Sequence, residues 1–166
     1  PGTGWNDQAW SSVPAWSLLR DEPFARLPTT PTQIKLLHDG KTLAVLARCS
    51  EPGTIVASAK ENDGAVGQDD SFHVYLATSG SAYVHLAVNA LGYLLDSSGM
   101  TGGQRVSRAR EWDSGARVVV NRDAGGWTAR IDIPLEQAAA MLGEVDKPSD
   151  WRILLVRFRP ARDGEP

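Results

Sequence analysis

Two short stretches hold the residues best equipped for chemistry. In "QDDSFHVYL", residues 68–76, Phe72, Val74 and Leu76 alternate with Ser71, His73 and Tyr75. In "YVHLAVNALG", residues 83–92, Val84, Leu86 and Val88 alternate with Tyr83, His85, Ala87 and Asn89. A period of two sends the two sets to opposite faces of a strand. One set is a core face. The other carries imidazole, phenol and carboxamide groups where a plain solvent-facing strand carries lysine, glutamate or threonine. With a turn centred near Gly80, Tyr75 falls opposite His85, His73 opposite Ala87, and Ser71 opposite Asn89, and directly opposed residues share a face. The pattern predicts a contiguous polar and aromatic patch on one side of a hairpin. The competing reading is a face covered by a neighbouring loop, its polar tips bonded to backbone.

Other chemistries fit less well. His73 and His85 approach diagonally across the hairpin and could form a metal pair, but the spacing places no third ligand. Asp69 and Asp70 are adjacent on an extended segment and point to opposite faces, which defeats the paired-carboxylate arrangement of a glycosidase. The same two acids, with "ENDG" at 61–64, could hold calcium through oxygen ligands, although no EF-hand spacing is present. There is no G-x-S-x-G elbow, H-E-x-x-H pair, Walker loop or G-x-G-x-x-G turn. The expectation is a protein that is not an enzyme. Cys49 is the single cysteine and ends the apolar run "LAVLARC", so a buried, inert thiol is expected rather than a nucleophile or a disulfide.

The elements that position these residues are strands. "TQIKLL" and "TLAVLARC" flank a turn with Asp39-Gly40 at its tip, predicting a hairpin over 32–49. A polar loop spans 50–69, the second hairpin pairs 71–77 with 83–90, and "GYLLDS" continues the sheet. A Gly/Ser/Arg-rich loop is expected over 97–115, with Arg105, Arg108 and Arg110 as cations that could meet an acidic glycan. "ARVVVNR" and "WTARIDI" pair across "DAGG", with Trp127 pointing inward alongside Ala129, Ile131 and Ile133. Pro134 opens one short helix near residues 135–142, and Gly143 suits its C-terminal cap. "WRILLVRFR" is the last strand. The fold class predicted is all-β: an antiparallel β-sandwich, jelly-roll or immunoglobulin-like, with one short helix.

The 166 residues fit one domain, and a charged fraction of 22% with a net charge of −3 is ordinary. No basic stripe points to nucleic acid. No apolar run approaches the ~18 residues of a membrane helix. The chain begins at Pro1, which suggests a module excised from a larger multidomain protein, with no signal segment left to read.

Six segments in order resemble carbohydrate-binding module family 9, a β-sandwich group related to DOMON domains. "NDQAW" is similar to its Asp-x-x-W opening, and "IKLLHDGKTLAVLARCSEP" to its strand, Asp-containing turn, strand and acid-Pro. "QDDSFHVYL" resembles its D-D-S strand, "VNALGYLLD" its V-N-x-x-G segment, "GGWTARIDIPL" its G-W element, and "WRILLVRFR" its final strand. The resemblance covers roughly residues 5–159. It implies a non-catalytic, secreted or extracytoplasmic polysaccharide-binding module serving other domains of the same chain, with calcium as an accessory ion. Asn89 and Arg157 match the family's asparagine and terminal arginine. The departures lie at the sugar contacts. Val66-Gly67 stand where an aromatic clamp residue is found, His73 replaces a glutamate, Ala87 an arginine, Arg130 an acid and Leu154 an asparagine.

The ligand-binding set expected on these grounds is His73, Tyr75, His85, Asn89, Trp112 and Arg157, with Asp69 and Asp70 for calcium. Trp112 enters as the tryptophan most open to solvent, while Trp10 and Trp16 are expected at core positions. Sugars suit such a set because their C–H faces stack on rings and their hydroxyls need directional partners. Two alternatives stand beside this one. One is an interaction or structural sandwich that has lost sugar binding. The other is a DOMON-like haem domain using Met100 or Met141 with a histidine.

Overall fold

The computed structural model describes residues 5, 7–18, 30–100, 112–143 and 150–162. Two antiparallel sheets pack face to face. The first runs β1-β2-β3-β8-β7 and the second β6-β5-β4-β9. The strands are β1 (Trp16–Ser17), β2 (Thr32–His38), β3 (Thr42–Ser50), β4 (Ser71–Ala77), β5 (Ala82–Asn89), β6 (Leu94–Met100), β7 (Arg117–Asp123), β8 (Gly126–Pro134) and β9 (Arg152–Phe158). The all-β sandwich is the fold expected from the period-two segments.

Alternation decides the interior. Val45, Ala47, Cys49, Trp127, Ala129, Ile131 and Ile133 face inward from β3 and β8, meeting Phe72, Val74, Leu76, Val84, Leu86 and Val88 from β4 and β5 in one buried cluster. Trp127 is fully buried opposite Cys49, as its alternation requires. Gly126 begins β8 with φ of +135°, and a Cβ there would collide with the Cys49 carbonyl, so only glycine fits. The β2–β3 turn closes as expected. Asp39 Oδ1 accepts the backbone N–H groups of Lys41 at 2.9 Å and Thr42 at 2.8 Å, and Gly40 supplies φ of +82°.

Two helices complete the described chain. The expected one is α2 (Leu135–Met141), which follows Pro134 and ends at Gly143 with φ of +76°. The other, α1 (Gln8–Ser11), is a single turn too short to register as a periodic segment. It carries Trp10 onto the outer face of the five-stranded sheet. There Lys35 Nζ donates to the Trp10 carbonyl at 2.9 Å, and the Arg130 guanidinium lies 6.0 Å from the indole centre. Trp10 is buried as expected, but Trp16 is 68% exposed on the two-residue edge strand β1.

The loop expected from residue 97 starts later. Ser97 to Met100 continue β6, pairing His85 with Ser97 and Tyr83 with Gly99. "SSGM" has no apolar period, and the ladder offered by β5 overrides that weak local preference. Arg105, Arg108 and Arg110 lie outside the described residues.

Candidate functional site: the outer face of the four-stranded sheet

The expected register of the second hairpin is the one observed: Ser71 opposite Asn89, His73 opposite Ala87, and Tyr75 opposite His85. On the same face β9 contributes Phe158 beside Ser71, Val156 beside His73 and Leu154 beside Tyr75. The face therefore has four columns: the apolar edge strand β9, a Ser-His-Tyr column on β4, an Asn-Ala-His-Tyr column on β5, and a Leu95-Ser97-Gly99 column on β6.

The rings form a ladder. Tyr75 stacks on His85 with centroids 4.2 Å apart and planes 7° apart, while His73 lies beside His85, edge to edge and nearly coplanar with it at 5.1 Å and 10°, its centroid 6.4 Å from that of Tyr75. Tyr83 leans against Tyr75 at 5.9 Å with a tilt of 58°. A chain of polar contacts joins the edges of the two imidazoles. Ser71 Oγ is 2.9 Å from His73 Nε2, and His73 Nδ1 is 2.9 Å from His85 Nε2. His85 Nδ1 in turn faces Ser97 Oγ at 3.4 Å, a long contact. Sequence reasoning misses Ser97, because the lack of an apolar period there reads as a loop.

The histidines do not open to solvent. His73 is 8% and His85 4% exposed. Part of the cover is a 3-10 turn, Val66–Gln68, at the place where the family pattern has a clamp aromatic. Val66 is buried, and a Cβ on Gly67 would stand 3.4 Å from the His73 ring. This is the covered-face arrangement, with the two imidazoles bonded to one another and to serine hydroxyls.

Asn89, Asp69 and the 56–70 loop form a latch. Asp69 accepts the Ser58 and Ala59 backbone N–H groups at 2.9 and 3.0 Å, the Ser58 hydroxyl at 3.0 Å, and Asn89 Nδ2 at 2.9 Å. Asn89 Nδ2 also donates to the Ala59 carbonyl, while its Oδ1 accepts from Leu91 and Tyr93. Burial pushes the Asp69 carboxyl up, but the donors from Ser58, Asn89 and Ala59 outweigh it and hold its pKa below the ordinary value. Asn89 is fully buried, so this arrangement makes it a fastener of the loop rather than a surface contact.

Arg157 lies on the opposite, inward face of the sheet, paired in register with Phe72. Its guanidinium reaches Glu51 Oε2 at 3.0 Å and the Ser50 carbonyl at 2.6 Å. Glu51 also binds Arg159 Nε at 2.8 Å, and Arg162 bridges Glu51 and Asp70. Burial raises the Asp70 carboxyl, and the Val56 N–H and Arg162 only partly offset that. For Glu51 burial also raises the carboxyl, but the hydrogen bond and charge of Arg159 prevail and lower it. Trp112 is likewise corrected from an open platform to a half-buried side chain packed on the core.

The acids proposed for calcium fit a cation poorly. Asp69 is surrounded by N–H and O–H donors, and Asp70 by a backbone N–H and a guanidinium. The residues offered for haem fit no better. Both ring nitrogens of each buried histidine are engaged, Met141 packs against the core from α2, and Met100 is exposed at the end of β6.

Comparison with protein-family models and with curated proteins finds no match. Solved structures do match. A candidate carbohydrate-binding protein from Bacteroides uniformis superposes with a TM-score of 0.69 at 13% identity, covering 90% of this chain and 72% of that one. A family 9 carbohydrate-binding module from Caldicellulosiruptor kristjanssonii, in complex with cellotriose, matches with a TM-score of 0.60 at 17% identity over 93% of this chain and 69% of that one. A family 9 module from the same organism, in complex with glucose, gives 0.57 at 18% identity, covering 90% and 68%. The aromatic ladder thus sits on a scaffold with the β-sandwich fold of family 9 carbohydrate-binding modules.

Proposed function

We propose that the chain is a non-catalytic carbohydrate-binding module that holds a larger secreted or extracytoplasmic protein against polysaccharide. The observation that carries this reading is the shared fold over at least 90% of the chain with modules in complex with cellotriose and glucose. The outer face of β4, β5 and β9 is the binding surface in this reading. Tyr75 and Tyr83 are half-buried rings, and Leu154, Val156 and Phe158 beside them are exposed. These surfaces suit the C–H face of a sugar ring. The groups able to make directional bonds are committed elsewhere: His73 and His85 within the ladder, Asn89 to the latch, Arg157 to Glu51. Binding therefore rests on stacking and is weak, in the millimolar range, about −4 kcal/mol.

Titration of the labelled protein with cellotriose, glucose and plant-wall oligosaccharides tests this. Amide shifts should spread over β4, β5 and β9, and Tyr75→Ala should abolish them while leaving the melting transition in place. Shifts that survive Tyr75→Ala would move the site elsewhere. Silence towards every glycan would favour the second reading, an interaction sandwich docking through the exposed apolar edge strand β9, where Leu154 is 58% exposed.

A further inference from the structure

The other sheet also carries a concave surface. A cleft of about 670 Å³ opens on the outer face of the five-stranded sheet, with Trp10, Leu37, Arg117, Arg130, Asp132 and Pro134 among its walls. That volume lies within the ~300–1,000 Å³ range of small-ligand sites. Its floor is made by outward-pointing residues of β2, β3, β8 and β7, opposite in parity to those of the core: Leu37 pairs with Ala44, Ala44 with Asp132, and Asp132 with Arg117. Four strands thus present one side chain each along a single row.

The chemistry of that row is mixed. Leu37, Ala44 and Pro134 give apolar surface. Arg130 Nε donates to Asp132 Oδ1 at 2.8 Å while its guanidinium overlies Trp10, so this pair is fixed in place. Arg117 is exposed on β7, and among the described residues no hydrogen bond or ion pair holds it. Asp39 uses Oδ1 to bind its own turn, and the Thr42 and Lys41 N–H groups keep its carboxyl ionised. Two arginines thus meet two carboxylates, Asp39 and Asp132, in one cleft with His38 and the Thr42 hydroxyl. Balanced charge gives no net pull on an anion or a cation. Interleaved donors and acceptors over an apolar floor match a molecule whose hydroxyl groups both donate and accept and whose C–H surface is flat.

We propose that this cleft is a second saccharide site, taking one unit of a neutral glycan, so that the module holds sugar on both outer faces. The ligand class rests on the function proposed above, while the site is separate from the hairpin. Arg117 is the directional donor least committed to the fold.

The test is a titration of the labelled protein with cellotriose, mannotriose and xylotriose, following amides of Leu37, Ala44, Arg117 and Asp132 separately from those of β4 and β5. At least one neutral trisaccharide should shift the cleft amides saturably. Arg117→Ala should weaken that response at least threefold without changing the hairpin response or the melting temperature. Hairpin shifts with a silent cleft would overturn the second site and leave the proposed function standing. Silence on both faces would overturn both. Cleft shifts unaffected by Arg117→Ala, or galacturonate trimer binding more tightly than every neutral sugar, would overturn the assignment of the donor or the ligand class.

Discussion

His73 Nδ1 and His85 Nε2 lie 2.9 Å apart at the centre of the outer face, with Ser71 and Ser97 closing the two ends of the chain. One nitrogen of the central pair must carry the proton and the other a lone pair. If His73 donates from Nδ1, then His85 accepts at Nε2 and keeps its own proton on Nδ1. If the direction reverses, both protons sit on Nε2. Either way the two neutral rings share one tautomer. A long-range proton–nitrogen spectrum at neutral pH should show two matching histidine patterns for this pair. One ring of each tautomer would mean that the contact is not a hydrogen bond.

Asp69 should link stability to pH. At neutral pH, Asp69→Asn places an amide N–H₂ against donors and should cost about 1–3 kcal/mol. The folded carboxyl is depressed below its unfolded value of about 3.9, so its stabilisation is fully present above that value and is lost as pH falls through the folded value. The gap between parent and variant should be constant from about pH 5 to 8 and close below about pH 4. Asp70 and Asp96 are raised by burial, so their cost is relieved on acidification, but both proteins share that effect. Urea midpoints at pH 7 and pH 3 measure the gap; an equal gap at both would remove Asp69 from the pH response.

Cys49 is fully buried, and burial pushes its thiol up to about 12. At pH 8 the thiolate fraction is on the order of 10⁻⁴, against a few tenths for a free cysteine. Ellman's reagent should release no colour from the folded protein over minutes and one equivalent once guanidinium unfolds it. Stoichiometric reaction in buffer alone would show that the sheets part locally around β3.

Trp127 fills the interior between the sheets, so Trp127→Ala should cost about 3–5 kcal/mol and either unfold the protein or lower its melting point sharply. This variant reports on packing only. A melting curve matching the parent would place Trp127 outside the core and reverse the faces of β8.

Residues 71–77 declare their own faces because alternation of Phe72, Val74 and Leu76 with His73 and Tyr75 leaves one half-buried arrangement. The Gly80 turn then sets the register, so the pairing of Tyr75 with His85 is legible in the sequence itself. The same logic places Trp127 inside and closes the hairpin at Asp39-Gly40. Alternation separates two faces, but it does not say what lies over either one. That His73 and His85 bond to each other under the Val66–Gln68 turn required the fold, because the cover is neither a strand nor periodic. Arg157 shows the other limit. Its match to a family position points to the binding face, whereas pairing of β4 with β9 turns it inward onto Glu51, 106 residues away in sequence. Partners of a buried polar group are chosen by whichever distant segment arrives beside it. Local patterning carried the scaffold, and only tertiary packing decided which polar residues of the expected site were left free to meet a ligand.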